Sequence, residues 1–213
     1  HWLDQPIGVL SQAIPLEGKL EAALYGSQVA ALFNQVQLTE TGADFSCTSL
    51  GNDPVGLASP VTMRGVTAAY LFANTLVVLE VTEEVLRQTL ERCAAYFTLV
   101  DGQPQISEEF LLPKVEHYNY DFYAGLSYTF DLRRPVGSRV IHLTKLDGSP
   151  LGSGKFRLCT SNYRATGTGG YEILRKCPVL WRGGTEMPDL TARYIQAHSP
   201  MPQLHNVEMR VIW

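Results

Sequence analysis

The chain has 213 residues, 45% of them hydrophobic and 18% charged, with 17 Lys+Arg against 21 Asp+Glu. This is the size and composition of a globular protein with a sizeable core, and it excludes a disordered chain. The net charge of -4 argues against a nucleic-acid polymer as partner, because such binding rests on phosphate neutralisation by Lys and Arg. No apolar run approaches the ~20 residues that span a bilayer.

The chain opens His1-Trp2-Leu3-Asp4, with no initiator Met and no signal peptide, so the expectation is a piece of a longer protein. Residues 20–37 carry Leu20, Ala23, Leu24, Val29, Leu32, Phe33 and Val36 near a 3.6 period, which predicts one amphipathic helix. A strand over 43–50 closes at the turn Gly51-Asn52-Asp53-Pro54. A short helix over 62–71 has Thr62 as its N-cap. Residues 75–81 are apolar and β-branched, hence a buried strand. Thr82 caps the next helix, whose early Glu83 and Glu84 suit its dipole.

Residues 101–120 read as a long polar excursion. Strands follow over 127–132 and 139–146, joined by the turn Pro135-Val136-Gly137-Ser138, and over 155–161. Residues 187–197 read as a helix and 207–213 as a final strand. The order predicts an α+β fold with mixed sheets and packed helices, not a doubly wound one.

The chemistry-bearing residues are sparse. His1, His117, His142, His198 and His205 stand singly, and no HExxH, HxH or CxxC is present, so no metal site is expected in this chain. Cys47, Cys93, Cys159 and Cys177 lie far apart in mostly apolar segments and read as buried free thiols, with one disulfide left open. Gly152-Ser153-Gly154-Lys155 fails the P-loop template at Ser149 and Phe156. Gly167-Thr168-Gly169-Gly170 fails the dinucleotide fingerprint at Glu172.

The segment Ser161 to Tyr171 is unusual: a strand ends in Asn162-Tyr163-Arg164-Ala165 and runs into glycines. It reads either as a plain turn with Tyr163 in the core or as a ligand edge with an aromatic platform. Two other readings compete. One is a self-contained hydrolase using Cys or Ser with a scattered His, such as Cys159 with His142; the other is a partner-binding module built on Tyr118, Tyr120, Phe122 and Tyr123.

Three segments carry a resemblance. Asn162-Tyr163-Arg164-Ala165 with its glycines resembles the signature near the end of the 5′-nucleotidase C-terminal domain. Phe72-Ala73-Asn74-Thr75 resembles that domain's aromatic-x-Asn segment. Tyr118-Asn119-Tyr120-Asp121, then Gly125-Leu126-Ser127-Tyr128-Thr129-Phe130-Asp131 and Pro135-Val136-Gly137-Ser138-Arg139, resemble the 2′,3′-cyclic-nucleotide 2′-phosphodiesterase/3′-nucleotidase branch. The opening Trp2-Leu3-Asp4-Gln5-Pro6-Ile7-Gly8 resembles the stretch that leads into this domain.

The resemblance implies an α+β domain of the 5′-nucleotidase C-terminal type over 16–213, with 1–15 as a linker remnant from a preceding domain. It implies a covalently linked N-terminal metallophosphoesterase domain with two divalent metals, and no cofactor in this piece. It implies a secreted, periplasmic or cell-surface protein without a membrane span, and a nucleotide or nucleoside as ligand. The base would be held between Phe72 and Tyr163, with Asn74 on the base edge. Asn162, Arg164 and Gly167 complete the expected binding set, Arg164 reaching phosphate or solvent.

Two departures stand out. Gly169 occupies the place of the 5′-nucleotidases' Asp that holds the ribose hydroxyls, and residues 49–54 lack their Arg. Both fit a site that leaves the 2′ and 3′ oxygens free.

Overall fold

The computed structural model describes residues 1–204 and 208–213; His205 and the first residue of the expected final strand, Val207, lie outside them. In chain order the strands are β1 (Pro6–Gly8), β2 (Phe45–Ser49), β3 (Val61–Thr62), β4 (Thr75–Val81), β5 (Phe97–Val100), β6 (Gln103–Ile106), β7 (Asp121–Ala124), β8 (Leu126–Asp131), β9 (Val140–Lys145), β10 (Phe156–Ser161), β11 (Val179–Glu186) and β12 (Met209–Ile212). The helices are α1 (Lys19–Tyr25), α2 (Gln28–Thr41), α3 (Met63–Ala69), α4 (Glu83–Ala94), α5 (Asn162–Ala165), α6 (Glu172–Arg175) and α7 (Met187–Ala197).

The fold is α+β. A five-stranded sheet runs β11-β4-β10-β2-β7, and a three-stranded sheet runs β12-β8-β9. In the larger sheet only β10 and β2 are parallel, with Leu158 opposite Phe45; β4 and β10 are antiparallel, with Ser161 opposite Leu76. Leu76, Val77, Val78 and Leu79 of β4 are all buried, because the strand is covered on both faces. Residues 1–15 are part of the packing, since β1 pairs with β3 and Ile14 pairs with Leu57.

The expected caps Thr62 and Thr82 accept from the N–H groups of Gly65 (3.1 Å) and Val85 (3.4 Å). The single helix expected over 20–37 is two. The backbone leaves the helical region at Gly26 (φ 97°), and Ser27 restarts it by accepting from the Ala30 N–H at 3.2 Å. A polar zipper then fixes α2 on β2. Gln37 donates to Ser46 Oγ (2.7 Å) and to the Cys47 carbonyl (2.9 Å), and Ser46 donates to Asn34 Oδ1 (2.8 Å).

Two further expectations are corrected. The excursion over 101–120 contains β6, which pairs with β5 as a hairpin. The aromatic surface expected around Tyr118 is mostly core: Tyr120, Phe122 and Tyr123 are buried in β7 and the turn before it. The four cysteines are free, and Cys177 alone is half-buried.

A buried ion pair joins Arg164 to Asp121, at 2.9 Å on each carboxylate oxygen, with both side chains nearly without solvent exposure. Removing one partner leaves a buried charge uncompensated, which costs about 3–5 kcal/mol. Asp121→Ala is therefore expected to lower the urea midpoint strongly, and the double variant Asp121→Ala/Arg164→Met to recover part of the loss.

Candidate functional site

The sheet register builds the site. Because β4 and β10 are antiparallel, the start of β4 and the end of β10 lie at one edge of the sheet. This brings Phe72 and Asn74 beside Asn162 and Tyr163, although some 87 residues separate Thr75 from Asn162. β2 is parallel to β10 and antiparallel to β7, with Ser49 opposite Asp121. Ser49 and the turn bearing Tyr118 therefore arrive at the same edge.

Together they enclose a cleft of about 370 Å³ lined by Ser49, Phe72, Asn74, Lys114, Tyr118 and Tyr163. That lies within the ~300–1,000 Å³ usual for small-molecule sites. Tyr163 is 39% exposed, on the cleft rather than in the core. Phe72 is half-buried and meets Tyr70 and Tyr118 edge-on, with ring centroids 6.1 and 6.3 Å away. Asn74 donates to the Tyr70 hydroxyl at 3.2 Å, which orients its amide.

The other expected site residues hold the frame. Asn162 Oδ1 accepts from the Thr75 N–H at 3.2 Å and ties the two strand ends together. Arg164, expected to reach phosphate or solvent, points inward and is buried. Besides Asp121 it donates to the carbonyls of Tyr118 (2.8 Å) and Thr168 (3.1 Å), and it lies 4.0 Å from the Tyr171 ring centroid. Gly167 closes the turn after α5, donating to the Arg164 carbonyl at 3.0 Å.

Gly169 has φ 82°, and a Cβ there would overlap Asn119 Oδ1. Arg92 Nε donates to its carbonyl at 2.8 Å. A side chain at 169 is excluded by both backbone and space.

Sequence reading missed Ser49, Lys114 and Tyr118 as cleft residues. Tyr118 lies in one of the quoted motifs, and Lys114 lies in the long excursion over 101–120; long connections are where function concentrates. Cys159, the example nucleophile of the hydrolase reading, is disfavoured: burial pushes its thiol up to about 12, away from the thiolate. Among the described residues no three His, Cys, Asp or Glu side chains stand together as a donor set for a divalent metal. Among them also no helix is long and apolar enough to cross a membrane.

With this geometry the comparisons with known proteins are specific. The family described as 5′-nucleotidase, C-terminal domain, matches residues 7–176, and the chain belongs to that family. A relative from Haemophilus influenzae, the 2′,3′-cyclic-nucleotide 2′-phosphodiesterase/3′-nucleotidase, is 30% identical over 76% of the chain. A putative 5′-nucleotidase from Staphylococcus aureus, solved in complex with α-ketoglutarate, superposes over 99% of the chain with a TM-score of 0.93 and 32% identity. The 5′-nucleotidase precursor of Thermus thermophilus shares the fold, with a TM-score of 0.78 at 20% identity over 99% of the chain. The chain spans 27% of the Haemophilus protein, 41% of the Staphylococcus chain and 40% of the Thermus one.

One titration bears on the cleft wall. His117, in the turn before Tyr118, has Nδ1 2.7 Å from the Tyr96 hydroxyl. Burial, and then Lys19, holds its pKa below the ordinary 6.5, against a smaller opposite pull from Asp53. The fold favours the neutral ring, so this stabilisation is full above about pH 6.5 and is lost as pH falls through the lowered value. Between pH 7 and 5, wild type is expected to lose more stability than His117→Gln, measured as the shift in urea midpoint; equal losses would remove His117 from the account.

Proposed function

We propose that this chain is the nucleoside-recognition domain of an exported, metal-dependent phosphoesterase that hydrolyses 2′,3′-cyclic and 3′-nucleotides. Residues 1–15 join it to a preceding metallophosphoesterase domain. The base stacks between Phe72 and Tyr163, and Asn74 reads its edge. The observation that carries this reading is the cleft at the sheet edge, where two aromatic side chains far apart in sequence line one space with an oriented amide.

Aromatic stacking suits a site that accepts different bases, since every base has a π-face. Binding the nucleoside, remote from the reacting phosphate, positions that phosphate for chemistry elsewhere. The two divalent metals would supply the activated water in the preceding domain. Gly169, where a side chain is excluded, supports a ribose whose 2′ and 3′ oxygens are not clamped. The similarity to the Staphylococcus protein favours a second reading, a 5′-nucleotidase-type domain with a different nucleotide pose. Competition between 3′-AMP and 5′-AMP separates the two.

Millimolar adenosine is expected to shift NMR signals of the cleft residues in this chain. Phe72→Ala and Tyr163→Ala should each weaken binding by about 1–3 kcal/mol. Unchanged affinity in both variants would reject the stacking assignment. The chain alone should release no phosphate from 3′-AMP with added Mn²⁺ or Zn²⁺, as followed by a phosphate assay; robust turnover would overturn the division of labour.

A further inference from the structure

Among the six residues lining the cleft, Lys114 is the one that carries a charge. Its side chain is exposed, and it makes no ion pair among the described residues. The ammonium stands 5.8 Å from the centroid of the Tyr118 ring, and Tyr118 meets Phe72 edge-on. The cation is thus at the aromatic wall itself.

The nearby carboxylate does not neutralise it by contact. Glu116 Oε1 accepts from the Tyr118 hydroxyl at 3.3 Å, and Oε2 accepts from Asn119 Nδ2 at 3.2 Å. The Tyr118 hydroxyl, the largest influence, holds Lys114 above its ordinary value, so the ammonium is charged across the neutral range. The segment is also anchored. Asn52 Nδ2 donates to the Val115 carbonyl at 2.9 Å, and Asn52 Oδ1 accepts from the His117 N–H at 3.0 Å. The anchor is Asn52, in the same 49–54 stretch that lacks an Arg.

With a net charge of -4 the chain has no general attraction for anions. A cation beside the cleft is therefore a local device. We propose that Lys114 selects anionic ligands at this cleft: it takes the phosphate of a nucleotide whose base lies among Phe72, Tyr118 and Tyr163. This deepens the nucleoside-recognition reading and rests on it. Lys114 acts as a point charge on a flexible stem, so its effect follows the ligand's charge more than its exact geometry.

The test is NMR titration of this chain with adenosine, 2′,3′-cyclic AMP and 3′-AMP at low salt. Affinity is expected to rise in that order, with about a two- to five-fold gain for 3′-AMP over adenosine, the size of an exposed ion pair. The gain should shrink in 0.5 M salt, where screening is strong. Lys114→Gln, at an exposed position, should abolish the gain, read as the ratio of 3′-AMP to adenosine affinity within the variant. Lys114→Arg should keep it. Equal affinities for adenosine and 3′-AMP in the wild type, or a gain that survives in Lys114→Gln, would overturn the proposal while leaving nucleoside recognition standing. If adenosine leaves the cleft signals unmoved and a Lys114-dependent response to 3′-AMP remains, nucleoside recognition fails and the anion site stands. Silence toward all three ligands overturns both.

Discussion

The buried pair of Arg164 and Asp121 is the constraint on which the cleft depends. Two segments that are loops by sequence, the turn before β7 and the glycines after α5, meet on one guanidinium. Arg164 grips the carboxylate with two bonds of 2.9 Å and reaches the Tyr118 carbonyl on one side and the Thr168 carbonyl on the other. Burial alone would disfavour the charge. Asp121 and Tyr171 outweigh it, and the guanidinium is held above its ordinary value. A planar fork with all its donors engaged can be buried where a lysine could not. The result is mechanical: the segment carrying Tyr163 and the segment carrying Tyr118 cannot separate without exposing an unpaired charge.

Sequence periodicity exposed the elements that bury one clear face or run. The strand over 75–81, the helix over 187–197 and the caps Thr82 and Thr62 were legible because each obeys a local rule. Two things obey no such rule. The helix over 20–37 keeps its apolar period straight through Gly26, so its break is invisible to periodicity. β11 is mostly exposed at the edge of its sheet, so no apolar pattern marks it. The hairpin of β5 and β6 did carry a signal. Asp101-Gly102 is a turn pair with φ 51° and 74°, the left-handed combination that joins two tight strands. The surrounding polarity hid it.

For the cleft, the resemblance named Phe72, Asn74 and Tyr163, which line it, but carried no information on the directions of side chains. Tyr163 and Arg164 are adjacent in sequence and both were expected at the ligand. They sit on one helical turn, where successive residues point about 100° apart. When Tyr163 faces the cleft, Arg164 must face the interior, and it does. Asn162 is turned away in the same manner and fastens Thr75. Lys114 had no local signature, since its place beside the cleft follows from how 101–120 folds back onto β2 and β7.

Gly169 and the ion pair are two views of one arrangement. A Cβ at 169 would overlap Asn119 Oδ1 and come within 3.0 Å of Arg164 Nη1. Position 169 is only half-buried, and Arg92 donates to its carbonyl, so the tight fit and the positive φ, rather than charge, exclude a side chain there. Arg164 is committed to Asp121, and that pair fixes the aromatic walls. The glycine loop is left without an acidic group, and the charged group remaining among the cleft's lining residues is the Lys114 ammonium. The supporting interior is thus an ion pair closed on itself, and the rim carries a cation open to solvent.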